Sequence, residues 1–144
     1  MGEISIRDSE TRDVEAITAI QNAFIGSAAI EWTDAEYSVD DRRAWLEAQR
    51  AAGYPVLVAV RAGEVVGWAS FGEFRDTARW PGYRLTVEHT IHVRHDQWGR
   101  GVGRRLIDAL VERAINRLGR ASLARFYHWN ATGGTVEIRP LRAP

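Results

Sequence analysis

Residues 86–104 read Thr-Val-Glu-His-Thr-Ile-His-Val-Arg-His-Asp-Gln-Trp-Gly-Arg-Gly-Val-Gly-Arg and hold the side chains best suited to chemistry. Thr86, Val87, Thr90, Ile91 and Val93 are β-branched and mark a strand. A polar, glycine-rich turn follows and runs into a helix start. In that order, backbone N–H groups converge on an anion and the helix dipole adds partial positive charge. Gly99, Gly101 and Gly103 leave room for close approach and for positive φ, with Arg100, Arg104 and Arg105 as flanking cations. The spacing of two and two is not the dinucleotide fingerprint, and no Gly-Lys-Ser/Thr is present for a Walker loop. The expected ligand is anionic and carries phosphate. Along the strand, Glu88, Thr90 and His92 share one face, with alternate side chains ~6.8 Å apart, while His89 faces the other way. A carboxylate on an accessible strand face can act as a general base, directly or through water. Glu88 is the main candidate, the ordinary alternative being a strand glutamate facing water. His92 is the second candidate, as a proton relay. The histidines at 89, 92 and 95 step by three along a strand, which turns them to alternating faces, so no metal site is expected.

The elements that must position these residues follow from periodicity. Ile4 and Ile6 alternate with polar neighbours in a first strand. Asp13 opens a helix whose apolar stripe is Val14, Ile17, Ile20 and Phe24. Ser38 and Asp41 have capping-box spacing for a second helix, which carries Trp45 and Leu46 and stops at Gly53. Residues 55–60 read as a buried strand, 61–64 as a hairpin turn and 65–71 as its partner. An exposed loop over 72–83 precedes the strand at 84–93. After the glycine turn, Leu106, Ile107, Leu110, Val111 and Ala114 line one face of a helix that Gly119 ends. Residues 121–127 and 135–139 read as two more strands across a Gly133-Gly134 turn. The expected fold class is α/β or α+β, a layered sheet flanked by helices.

Composition narrows the function. A chain of 144 residues, 45% hydrophobic and 26% charged, makes one domain (1–144) with a real core. Nineteen basic residues balance nineteen acidic ones, which argues against a nucleic-acid binder. All the basic residues are arginine, which excludes lysine Schiff-base chemistry, and the absence of cysteine excludes thiolate catalysis and disulfides. No apolar run approaches ~18 residues, and the first residues lack a leader's basic and apolar regions, so a soluble, cytoplasmic protein without membrane partners is expected.

Gly101-Val102-Gly103 after a strand ending Ile91-His92-Val93 resembles the acetyl-CoA pyrophosphate loop of the GNAT N-acetyltransferase superfamily. Within it, the chain is most similar to the phosphinothricin and methionine sulfoximine N-acetyltransferases. Asp41-Arg42-Arg43-Ala44-Trp45, Gly53-Tyr54-Pro55-Val56-Leu57-Val58-Ala59, Gly67-Trp68-Ala69-Ser70-Phe71-Gly72 and Thr86-Val87-Glu88-His89-Thr90-Ile91-His92-Val93 resemble that family's blocks in order. The likeness covers residues 3–118. It implies a GNAT-like, mixed but mostly antiparallel sheet, a homodimer, acetyl-CoA as co-substrate without a metal, and an amino-acid-like amine as acceptor. It implies a coenzyme site at Ile91, His92, Val93, Gly99, Arg100, Gly101, Val102, Gly103 and Arg104, with a bulge at 91–93 turning N–H groups toward the thioester carbonyl. Arg75 and Arg84, with Arg79, would bind the acceptor's acidic group. Trp32 and Tyr83 would wall the pocket, and Trp68 would pack.

Two departures stand out. Trp98 occupies the first position of the loop pattern, where the family carries Gln or Arg. The tail, 119–144, does not match, so the sheet's second half is expected to be incomplete and the short helix bearing the thiolate-protonating tyrosine to be absent. Tyr127 is the stand-in for that tyrosine, and Asn130 lies near the family's turn asparagine. A divergent tail leaves a second possibility, an acyl-CoA-binding domain with little catalysis.

Overall fold

A computed structural model describes residues 2–27, 31 and 33–118. Strand β1 spans Ile4–Asp8, β2 Val56–Arg61, β3 Glu64–Glu73 and β4 Val87–Val93. Helix α1 spans Val14–Asn22, α2 Val39–Ala51 and α3 Val102–Leu118. The strands form one antiparallel sheet in the order β1-β2-β3-β4. The expected strands at 121–127 and 135–139 lie outside the described residues.

Local chemistry accounts for the boundaries. The Ser38 hydroxyl accepts from the Asp41 amide at 3.0 Å and donates to its carboxylate at 2.7 Å, which starts α2. At the other end, Gly53 has φ +72°, and the Tyr54 amide bonds the Gln49 carbonyl while the Gly53 amide bonds that of Arg50. That is the Schellman pattern expected of a glycine stop. Ala62 and Gly63 both have positive φ, the backbone of a type I′ turn between β2 and β3. One boundary differs from the expectation. Residues 84–86 are not in β4, because a 3-10 turn at Pro81–Tyr83 precedes them and the Thr86 amide is bonded to the Tyr83 carbonyl at 2.8 Å.

The sheet has two buried faces. Val56, Val58 and Trp68 pack against Val14, Ile17, Ile20, Phe24 and Leu46 of the α1–α2 layer. Leu57, Ala59, Val66, Ala69, Phe71 and Val87 pack against Val102, Leu106, Leu110 and Ala114 of α3. A bulge lies in the β2–β3 pair at Ala59/Val60, whereas β3 and β4 pair without a break from Gly67–Val93 to Glu73–Val87. The bulge expected at 91–93 is therefore absent from the β3–β4 pairing. The register shift, which sets the twist locally, falls one strand further in.

Gly67 fixes how closely α3 can lie. A Cβ there would meet the His92 carbonyl oxygen at 3.0 Å, Leu106 Cδ1 at 3.2 Å and Val102 Cγ1 at 3.3 Å. The nearest of these is backbone and cannot swing away. Gly67→Ala should therefore destabilise the protein by about 1–3 kcal/mol through overpacking, read as a lower urea midpoint. An unchanged midpoint would show that α3 has slack against the sheet.

Candidate active site

β4 divides the site between its two faces. Glu88, Thr90 and His92 face the α1–α2 layer, opposite Gly72, Ser70 and Trp68 of β3. Ile91 and Val93 face α3 and pack on its core cluster. Of the residues predicted to line the coenzyme, Ile91 and Val93 thus lie across the strand from Glu88, whereas His92 shares its face.

Beyond β4 a short 3-10 turn at His95–Gln97 leads to Trp98, then Gly99 and Gly101 at φ +70° and +79°. A Cβ at either glycine would meet nothing within 4 Å among the described residues. The demand for glycine is conformational, since an L residue is strained at that φ. Val102, Gly103 and Arg104 form the first turn of α3, and the Arg105 amide bonding the Gly101 carbonyl at 3.1 Å is an early bond of that helix. The N–H groups of 102–104 precede any intrahelical acceptor and point with the positive end of the helix dipole. Gly103 differs from the other two glycines: its φ is ordinary, and a Cβ would touch Val93 Cγ2 at an unstrained 3.7 Å. Arg100, Arg104 and Arg105 are exposed, Arg104 lying 3.8 Å from Asp108. This cradle fits a pyrophosphate: left-handed glycines that no described residue crowds, helix-start amides that point outward and exposed arginines at the rim.

On the other face, Glu88 is exposed, and its cross-strand neighbour Gly72 has no side chain to crowd it. Thr90 is exposed as well, whereas His92 is only 6% exposed. The His92 ring stacks on Trp68 at 5.0 Å and 9° and meets Phe24 at 5.4 Å. Its Nε2 lies 2.8 Å from Oε1 of Glu31, which also accepts from Gln21 Nε2 at 3.1 Å. A carboxylate oxygen accepts, so Nε2 carries the proton, and Nδ1 is buried without a hydrogen-bond partner among the described residues. Burial holds the imidazole below its ordinary range. Glu31 opposes that, and the Arg42 guanidinium adds to it. Arg42 is itself buried, its guanidinium 4.0 Å over the Tyr37 ring and 4.9 Å over Trp45. Glu31, Gln21 and Arg42 escaped the sequence reading. Glu31 and His92 are 61 positions apart, too far for any local spacing to link them.

The two arginines expected to bind the acceptor's acidic group each rest on a near neighbour in this structure. Arg75 lies over the Phe74 ring at 4.9 Å, and Arg84 caps the 3-10 turn with Nη1 3.4 Å from the Pro81 carbonyl. Both are exposed on the segment between β3 and β4, and Arg79 leans on Trp80 at 5.5 Å. Tyr83 is exposed and meets Phe74 edge-on at 5.4 Å, while Trp68 is a core residue as expected. Trp32, Tyr127 and Asn130 lie outside the described residues. Among the described residues no group of His, Asp and Glu is placed to hold a metal ion, and no helix is long and apolar enough to cross a membrane.

With this geometry in place, the likeness to known proteins can be stated. The model of the acetyltransferase (GNAT) family matches residues 17–132. An L-methionine sulfoximine/L-methionine sulfone acetyltransferase of Pseudomonas paraeruginosa is 44% identical over 76% of this chain and 63% of its own. A Salmonella typhimurium protein described as an acetyltransferase, solved with its cofactor acetyl-CoA, superposes with a TM-score of 0.74 at 40% identity, over 81% of this chain and 65% of that one. A phosphinothricin acetyltransferase from Sinorhizobium meliloti, solved in complex with acetyl-CoA, gives 0.72 at 28% identity, over 78% and 60%. The chain thus spans less than two thirds of the length of each of these relatives.

The buried imidazole makes stability depend on pH. Its folded pKa lies below the ordinary value of 6.5, so the unfolded chain binds a proton that the folded one refuses. The contribution is complete above pH 6.5 and is lost as pH falls from there toward the folded pKa. The melting temperature should drop between pH 7.5 and pH 5.5, and His92→Phe, which keeps a ring between Trp68 and Phe24, should shrink that drop. An equal drop in both proteins would assign the pH dependence to other groups.

Proposed function

Since the chain belongs to the acetyltransferase (GNAT) family, we propose that it moves the acetyl group of acetyl-CoA to the amine of a small amino-acid-like acceptor, of methionine sulfoximine or phosphinothricin type. The observation that carries this reading is the left-handed turn at Gly99 and Gly101, which brings the amides of α3's first turn to the end of β4. The name of the 44% identical relative supports the acceptor class.

In this reading the amides of 99–104 hold the pyrophosphate, and the backbone of Ile91, His92 and Val93 receives the arm that leads to the thioester. Acetyl-CoA supplies the acyl carbon that the amine attacks, and coenzyme A thiolate departs. Glu88 takes the proton from the acceptor ammonium, directly or through water, on a face left open by Gly72. His92, neutral and with its Nε2–H fixed by Glu31, closes the inner end of that face and orders it. Arg75 and Arg84 bind the acceptor's acidic group once it enters beside β4, which requires the 74–86 segment to move. The protein works as a cytoplasmic homodimer, the assembly the family resemblance implies.

A thiol-release assay with acetyl-CoA and a panel of amino acids, including methionine sulfoximine, methionine sulfone and phosphinothricin, tests this directly. Turnover with at least one of them is expected. Glu88→Gln should then lower kcat by about 10²–10⁴-fold, the usual size of a general-base contribution, with coenzyme affinity nearly unchanged. Full activity of that variant between pH 6 and 9 would remove Glu88 from the role. Tight coenzyme binding without turnover on any acceptor would instead leave an acyl-CoA-binding domain.

A further inference from the structure

Trp98 is a large side chain at an exposed turn, 49% accessible, yet its position is fixed in two ways. The indole N–H donates to the Val93 carbonyl at 2.8 Å, reaching back across the 3-10 turn to the last residue of β4. The ring lies parallel to Phe24 at 6.1 Å and 5°, an offset stack, with His95 tilted against it at 4.5 Å. Phe24 in turn meets His92, and His92 stacks on Trp68, so Trp98 is the outer ring of an aromatic column that enters the α1–α2 layer.

The chain just before Trp98 is held from the other side. The Arg94 amide bonds the Val66 carbonyl at 2.9 Å, and its guanidinium bonds Asp96 at 2.7 and 3.0 Å and Glu64 at 3.1 Å. The Arg94 guanidinium holds the Asp96 carboxyl at about 2. Arg61 Nη1 donates to Gln97 Oε1 at 2.6 Å. These ties fasten 94–97 to the β2–β3 hairpin and stop at Gln97. Trp98 comes next, immediately before the two left-handed glycines.

We propose that Trp98 is the positioning residue of the coenzyme loop: its indole N–H, bonded to the end of β4, sets where the chain stands as Gly99 and Gly101 turn it toward α3. The proposal rests on the reading above, that this loop holds the coenzyme's pyrophosphate. The bond has little to do with global stability, because an exposed indole N–H that loses a protein acceptor finds water instead. Its effect lies in where the amides of 99–104 stand before the ligand arrives, which lowers the ordering cost of binding. Gln can take over this role, since its Nε2 is four bonds from Cα, as the indole Nε1 is. Phe cannot, although it keeps a ring to stack on Phe24.

The test is calorimetric titration of coenzyme A into the full chain, with wild type, Trp98→Phe and Trp98→Gln, alongside melting temperatures and amide exchange of 99–104 without ligand. Trp98→Phe should melt close to wild type, exchange faster across the loop and bind coenzyme A about three- to tenfold more weakly, the worth of one neutral hydrogen bond. Trp98→Gln should return both loop exchange and affinity to within about twofold of wild type. Wild-type affinity and exchange in Trp98→Phe would overturn the proposal while leaving the coenzyme site standing. So would failure of Trp98→Gln to recover either property. If wild type itself does not bind coenzyme A, the reading of the loop fails, and this proposal with it.

Discussion

α3 reaches the sheet at Gly67, and the rest of the site depends on that approach. Val102 and Leu106 lie where a side chain at 67 would be, and the same glycine faces Val93 across the β3–β4 ladder. One contact therefore fixes both the height of α3 and its first turn relative to the end of β4. Leu106, Leu110 and Ala114, all fully buried, then hold the helix along the sheet. A helix N-terminus is a common feature and an anion site only when something holds it against a second element. Here the close packing at Gly67 supplies that, and the left-handed turn at Gly99 and Gly101 closes the short gap between strand and helix.

From that anchor the two faces of β4 take different chemistry. The α3 face carries Val87, Ile91 and Val93, with His89 the one polar side chain among them. The α1–α2 face places an exposed carboxylate, an exposed hydroxyl and a buried imidazole in a row. Period-two alternation makes this separation automatic once the register is set, and the unbroken pairing from Gly67 to Glu73 sets it. The gradient of exposure along the row, from open Glu88 to enclosed His92, divides them into a group open to solvent and a group held by protein. Glu31, Gln21 and Trp68 do the holding.

Features written in local sequence were legible. The stripe Val14, Ile17, Ile20, Phe24 is buried as its spacing requires, Ser38 caps α2, Gly53 ends it, and the glycine turn runs into α3. Each of these follows from one periodicity or one backbone conformation. Features made by long-range approach were not legible. The Glu31–His92 bond joins residues 61 positions apart, and no spacing rule links them. The bulge was expected on β4 from resemblance, whereas Val66 and Gly67 of β3 absorb the extra residue. Trp98 showed itself only as a departure from a pattern, because what its indole bonds depends on how the turn folds back on Val93. The arginines at 75 and 84 lie on a segment whose side chains rest on one another, Arg75 over Phe74 and Arg84 against the Pro81 carbonyl, contacts that residue type and order alone do not reveal.

The central claim is that the end of β4, the glycine turn and the first turn of α3 together grip a pyrophosphate. Comparing 4′-phosphopantetheine with pantetheine, which has the same thiol arm but no phosphate, isolates that grip in one calorimetric comparison on the full chain. The account predicts that pantetheine binds at least about 10²-fold more weakly, since two or more charge-assisted hydrogen bonds to backbone amides are lost. Equal affinity for the two would contradict it.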